Sequence, residues 1–186
     1  MPLSDITPMT WTDGTEDLTD VNLNTEIRDS YNLQLLPPSV SIRRTTTQTI
    51  ATSTWTGIGF DTLEYDTLAT DTPQWASGSN TKLTCQVNGW YEIIGSGTYN
   101  SPSARGIFVS SVRLNGVTDS THLYHGSSMC TNGTTFGTLD YSYKNLLALN
   151  SGDFIEFYVW QNSGANQTIN PDYYTPVFSM IRRRGL

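Results

Sequence analysis

The residue types able to do chemistry are few and scattered. Two histidines stand in an H-x-x-H spacing, His122-Leu123-Tyr124-His125. On a helix this spacing sets both imidazoles on one face, but in an extended chain a three-residue step puts them on opposite faces. No glutamate lies between them, so the general base of a zinc-hydrolase motif is missing. Surface or subunit-contact histidines are the favoured reading. A metal on a symmetry axis, held by one His per copy, is the minor one. The acids Asp61, Glu64, Asp66, Asp71 and Asp119 fall in loop-like stretches. Glycoside hydrolysis needs two acids at a set separation across a cleft, and calcium takes carboxylates and carbonyls from such loops. Solvated loop acids are favoured over both. The chain carries no G-x-S-x-G elbow, P-loop or G-x-G-x-x-G run. Cys85 sits at an inward strand position and Cys130 in a loop-like stretch. Buried free thiols are favoured over a bridge between them.

Chemistry this sparse predicts a protein that is not an enzyme and needs no metal or cofactor, so its function is sought in its surfaces. The sequence of 186 residues is 37% hydrophobic and 15% charged, and the polar quota is filled by Thr, Ser, Asn and Gly. These suit strands and turns more than helices. The net charge is -7 and the two lysines are Lys82 and Lys144. A nucleic-acid footprint, which needs clustered Lys and Arg, is thereby disfavoured. Arg43-Arg44 and Arg182-Arg183-Arg184 read as solvated or partner-facing charge. No apolar run reaches the ~20 residues of a membrane helix, and the N-terminus has neither the basic nor the apolar region of a secretory signal.

The elements that must position the surfaces divide the chain in three. Residues 1–17 carry no periodicity and read as an extended arm, in which Trp11 is expected to be covered by its own domain or by a partner. Residues 18–38 read as one short helix ended by Pro37-Pro38, with Thr19 as N-cap and a thin stripe of Val21, Asn24, Ile27, Arg28, Tyr31 and Leu35 flanked by Leu23 and Leu33. A helix this short is marginal alone. Residues 39–186 switch to a period of two: a Thr-rich stretch from Thr45 to Thr56, then Lys82–Val87, Tyr91–Ile94, Ile107–Leu114, Phe136–Tyr143, Phe154–Trp160 and Val177–Ile181. Asn88-Gly89, Asn115-Gly116 and Asn150–Asp153 punctuate them. Many short strands with no helix between them predict an all-β antiparallel fold, a sandwich or a jelly roll.

Several of these strands are apolar on both parities. With Ile155, Phe157 and Val159 inward, Phe154, Tyr158 and Trp160 point out; with Ile107 and Val109 inward, Phe108, Val112 and Leu114 point out. Phe154, Tyr158, Trp160 and Phe108 are therefore expected at an interface between copies. The aromatic- and amide-rich stretches 75–80, 99–103 and 161–174 are expected to face a ligand, with Trp75, Tyr99, Tyr173 and Tyr174 as its contacts. Flat apolar faces stack on sugars and amides fix hydroxyls, so the ligand expected is a glycan.

The ordered runs "FDTLEYDT", "TKLTCQVNGWYEIIGSGTY", "SSVRLNG", "LLALNSGDFIEFYVWQNSG" and "PVFSMIRR" resemble strands of the complement-globular-head and tumour-necrosis-factor-like jelly rolls. The resemblance spans about residues 50–184 and implies a homotrimer about an aromatic-lined axis. It also leaves Arg105 open between a paired core arginine and a loop arginine. Residues 9–35, "MTWTDGTEDLTDVNLNTEIRDSYNLQL", resemble a segment found at the N-termini of tailed-bacteriophage virion proteins, through Trp11, Gly14, Leu23, Asn24, Ile27, Arg28 and Asp29. That resemblance implies virion docking by Trp11, Leu23, Asn24, Ile27, Arg28 and Tyr31, other virion proteins (capsid or tail) as partners, and residence on the virion surface. In such a product the glycan-acceptor triplets Asn132-Gly133-Thr134 and Asn166-Gln167-Thr168 carry no meaning. The expected role is a trimeric spike or knob for host-surface attachment. The alternatives are a capsid decoration protein or head fibre and, last, a cell-wall hydrolase.

Overall fold

The computed structural model describes residues 37–70, 72–100, 106–117, 123–131, 138–171 and 174–185. The expected helix and arm, with Trp11, Leu23, Asn24, Ile27, Arg28 and Tyr31, lie outside the described residues, as do Arg105, His122 and Tyr173. The strands in chain order are β1 (Ser39–Arg43), β2 (Gln48–Ile50), β3 (Thr56–Gly57), β4 (Thr62–Asp66), β5 (Lys82–Thr84), β6 (Gly89–Asn100), β7 (Gly106–Leu114), β8 (Leu123–Thr131), β9 (Thr138–Leu149), β10 (Phe154–Gln161), β11 (Gln167–Ile169) and β12 (Val177–Arg184). They form two antiparallel sheets. The first runs β4-β1-β12-β6-β9, with β11 and β2 continuing from the far end of β6. The second runs β3-β10-β7-β8, with β5 sharing the β10 edge with β3.

The two sheets enclose one core. Val40 and Ile42 of β1, Tyr91, Ile93 and Tyr99 of β6, and Phe178 and Met180 of β12 meet Phe108 and Val112 of β7 and Ile155, Phe157 and Val159 of β10. Alternation drives this: Tyr91, Ile93 and Tyr99 in β6 and Ile155, Phe157 and Val159 in β10 are fully removed from water, each apolar side chain worth about 1.5–3 kcal/mol. At the centre Phe157 stacks on Phe178 at 5.5 Å between ring centroids, and Phe178 on Phe60 at 5.7 Å. Gly95 in β6 permits this. A Cβ at that position would lie 2.8 Å from the Phe157 ring, so the ring occupies the space a larger residue would claim.

Turn chemistry sets the strand ends. After β7, Asn115 and Gly116 both take positive φ (53° and 70°), the mirror-image turn for which Asn-Gly is suited. Before β10, Gly152 at φ 93° turns the chain, and Asp153 accepts the Asn150 amide at 2.7 Å and the Asn115 side-chain amide at 2.8 Å.

Four expectations are corrected. The Thr45–Thr56 stretch is broken: β2 ends at Ile50 and Ser53 sits at φ 55°, a turn that lets its amide reach the Gln161 carbonyl. The parity of β7 is the reverse of that expected. Phe108, Ser110 and Val112 face the core and Ile107 is exposed, because Phe108 packs edge-on against Tyr99 at 5.0 Å. Phe108 therefore does not belong to an outward interface. Tyr99 is not a loop residue but a fully buried member of β6. Cys130 lies in strand β8 opposite Ile107 rather than in a loop, and Cys85 is a free thiol in the core.

Candidate interaction surfaces

The acids are engaged in holding loops together. Asp61 sits between β3 and β4 and accepts the backbone amides and hydroxyls of Thr45 and Thr46 and the hydroxyl of Thr62. Burial pushes its carboxyl up, but these hydrogen bonds, led by Thr46, outweigh it and hold Asp61 well below the usual carboxylate range. Asp66 accepts the amides of Leu68 and Gln74 and the Gln74 side chain. Glu64 accepts from Ser41, Glu156 from Thr81, and Asp140 from Thr98. The Cys85 thiol is pushed up by burial and the Tyr91 hydroxyl likewise, the latter donating to the Val87 carbonyl at 2.6 Å. Neither is poised as a nucleophile.

The outward side of β10 carries Phe154, Tyr158 and Trp160, all half-buried. Their own chain supplies part of the cover. Lys82 lies over the Phe154 ring at 4.1 Å, and the Arg113 guanidinium over the Tyr158 ring at 3.7 Å. Trp55, from the β2–β3 loop, meets Trp160 at 6.4 Å, with the planes tilted 41°. Such cation–π contacts contribute roughly 0.5–2 kcal/mol each, so much of this row is already partnered. At the far end of β10 the Trp55–Trp160 pair remains half-exposed.

The outward face of the first sheet is barer. Register aligns Tyr65, Ser41, Ser179, Ile94 and Lys144 in one row across five strands. A second row holds Ser39, Ile181, Glu92 and Leu146, and a third Arg43, Val177, Ser96 and Ser142. Tyr65 is 45% exposed and Leu146 44%, with Ile94, Val177 and Ile181 half-buried. Serines between them keep the face low. The sequence held the signal for this surface in the second parity of β6, where Ile94 stands on the solvent side beside Trp90 and Glu92.

At the end of this face where β1 begins, Glu92, Lys144, Asn145, Leu146 and Arg183 line an open groove of about 320 Å³. Glu92 bridges two cations, accepting from Lys144 Nζ at 2.7 Å and from Arg183 Nε at 2.7 Å. The Lys144 ammonium first, then the Arg183 guanidinium, hold its carboxyl below the usual range. Arg184 lies over the Trp90 ring beside them at 5.1 Å.

Of the residues expected to meet a ligand, Trp75 packs partly buried against the core, Tyr99 is inside it, and Tyr174 is 63% exposed. Burial thereby removes Tyr99 from any surface contact with a ligand. Among the described residues no group of three or more His, Cys, Asp or Glu could hold a metal, and no helix is long and apolar enough to cross a membrane.

Two antiparallel sheets in this order make a jelly roll, and solved structures share it. The chain superposes on a tumour-necrosis-factor protein, Eiger, from S. frugiperda with a TM-score of 0.54 at 10% identity, covering 80% of this chain and 95% of that one. Murine APRIL at pH 5.0 gives 0.53 at 8% identity over 78% and 98%. The globular domain of zebrafish complement 1qA protein aligns at 18% identity over 80% and 99%, with a TM-score of 0.49. The first two show the fold. No family model matches the chain, and no curated protein does.

Proposed function

We propose that the chain is a non-enzymatic virion protein that assembles as a homotrimer, a spike or knob whose jelly roll is presented outward for attachment to a host-surface glycan. The observation that carries this reading is the outward face of the first sheet. Tyr65, Ile94, Val177 and Ile181 stand there among Ser39, Ser41, Ser96, Ser142 and Ser179, with Arg43, Glu92 and Lys144 as the charged residues of the same rows. A solvated sheet face alternates to polar residues. One that keeps large apolar side chains on a flat serine bed is suited to being covered by identical copies. This moves the expected seam from β10 to the opposite sheet, because the β10 aromatics already have Lys82, Arg113 and Trp55 over them.

The two ends of the sandwich suit different tasks. The N-terminal segment enters at Ser39, beside Ile181 and Glu92. Trp55 and Trp160 lie toward the other end, where β2 and β11 meet the last residues of β6 and Gln161 bonds to Ile50. The half-exposed indoles offer flat apolar faces at the end away from the docking segment, which favours saccharide stacking there. The non-enzymatic reading rests on the acids, whose oxygens hold loops and neighbouring strands.

The test is twofold. Light scattering on the purified full chain is expected to give three times the mass of one copy. The same trimer, added to host cells, is expected to compete with phage adsorption, and Trp160→Ala to abolish the competition. A single-copy mass together with no competition sinks the proposal.

A further inference from the structure

We infer that the groove at Glu92, Lys144 and Arg183 is the seat of this chain's own acidic N-terminal segment. Residues 1–36 hold seven of the seventeen acids and one of the ten basic residues, so they carry -6 of the net -7 and the remainder of the chain is almost neutral at -1. The groove has the opposite balance. Lys144 is 70% exposed at its side chain and Arg183 53%, while the single acid between them, Glu92, is 13% exposed and already shared by both. Arg184 adds a further cation on Trp90 next to them. One carboxylate against three cations leaves a positive surplus facing outward. Exposed Leu146 supplies an apolar floor, and the segment offers Leu23, Ile27, Tyr31, Leu33 and Leu35 to meet it.

Connectivity favours the same occupant. The Arg182 amide donates to the Pro38 carbonyl at 2.9 Å, so the segment joins the sandwich alongside the last residues of β12. Ser39, Ile181, Glu92 and Leu146 form one row. Strands are spaced by ~4.8 Å, so Leu146 lies roughly 14 Å from Ser39. At ~3.3 Å per extended residue, four or five residues cross that distance, and the nearest acid, Asp29, stands ten residues before Ser39, with length to spare. A tether so short gives an effective concentration on the order of millimolar, enough for a salt-screened attraction between exposed charges to act. The groove borders the proposed seam, with Ile181 in the Glu92 row and Lys144 in the Ile94 row, and the two are told apart by separate readouts, the linked residues for the groove and the mass of the assembly for the seam.

The chain's two lysines make the test simple. Carbodiimide coupling of carboxylates to amines, read by peptide mass spectrometry on the full chain, is expected to join Lys144, and not Lys82, to acids within residues 1–36. The yield should fall at least five-fold in 1 M sodium chloride and in Arg183→Glu. Glu92→Gln, which frees Lys144 from its partner, should raise it. Light and heavy isotope chains refolded together are expected to give links within one chain. Lys144 joined to Glu92 alone, equal coupling at Lys82, or mixed-isotope links would each overturn the inference.

Discussion

Asp61 illustrates how much an exposed acid can do through hydrogen bonds alone. It gathers donors from Thr45, Thr46 and Thr62 and so clamps the β1–β2 turn to the β3–β4 loop. Its carboxyl is held below its unfolded value, so its contribution to stability is complete above about pH 4 and is lost as pH falls through the folded value. Glu92 acts in the same direction through Lys144 and Arg183. Asp61→Asn keeps one acceptor and turns an amide toward a donor. It is expected to cost about 1 kcal/mol at pH 7 and to flatten the acid limb of the stability curve, as thermal melts from pH 7 to pH 2 will show. The sequence exposed the acid but not its partners, because those sit sixteen and fifteen residues away and only the strand register brings them together.

At the scale of elements, alternation located the strands without always fixing which parity faces inward. Lys82–Val87, Phe154–Trp160 and Val177–Ile181 all contain strands near the expected limits. It failed in β7, where both parities are apolar and only packing decides. Phe108 turns inward because Tyr99 on the facing sheet presents a ring edge to it, a contact between residues in different sheets that no single-strand pattern encodes. The Thr45–Thr56 stretch failed for another reason: β propensity cannot see the positive φ at Ser53. Two substitutions test the packing. Phe108→Ala is expected to destabilise by about 3–5 kcal/mol, against near neutrality if the side chain faced outward. Gly95→Ala drives a methyl into the Phe157 ring and is expected to cost about 1–3 kcal/mol; denaturant midpoints with unchanged slopes would register both. If the Gly95→Ala protein is as stable as the parent, the core is looser than the stacked Phe60–Phe178–Phe157 column implies.

For the whole molecule, the fold was legible from strand count, turn residues and the ordered motifs, but the identity of the outward surface was not. Two of the three outward aromatics of β10, Phe154 and Tyr158, are answered by the chain itself, through cations at Lys82 and Arg113 that sit far from them in sequence. Among the described residues the surplus on the first sheet has no such answer at Ile94, whose row neighbours are Ser179 and Lys144. Ile94 is the place to break a seam without touching the core, since Ile93 and not Ile94 is inward. Ile94→Lys sets a second cation opposite Lys144 where copies would meet, and burying a charge without a partner costs several kcal/mol. In a solvated face the same change is nearly neutral. The expected result is a protein that sediments as single copies while its far-ultraviolet circular dichroism is unaltered. A variant that stays trimeric places the seam elsewhere on the sandwich, and a parent that is already single leaves the apolar rows of this sheet to a different partner.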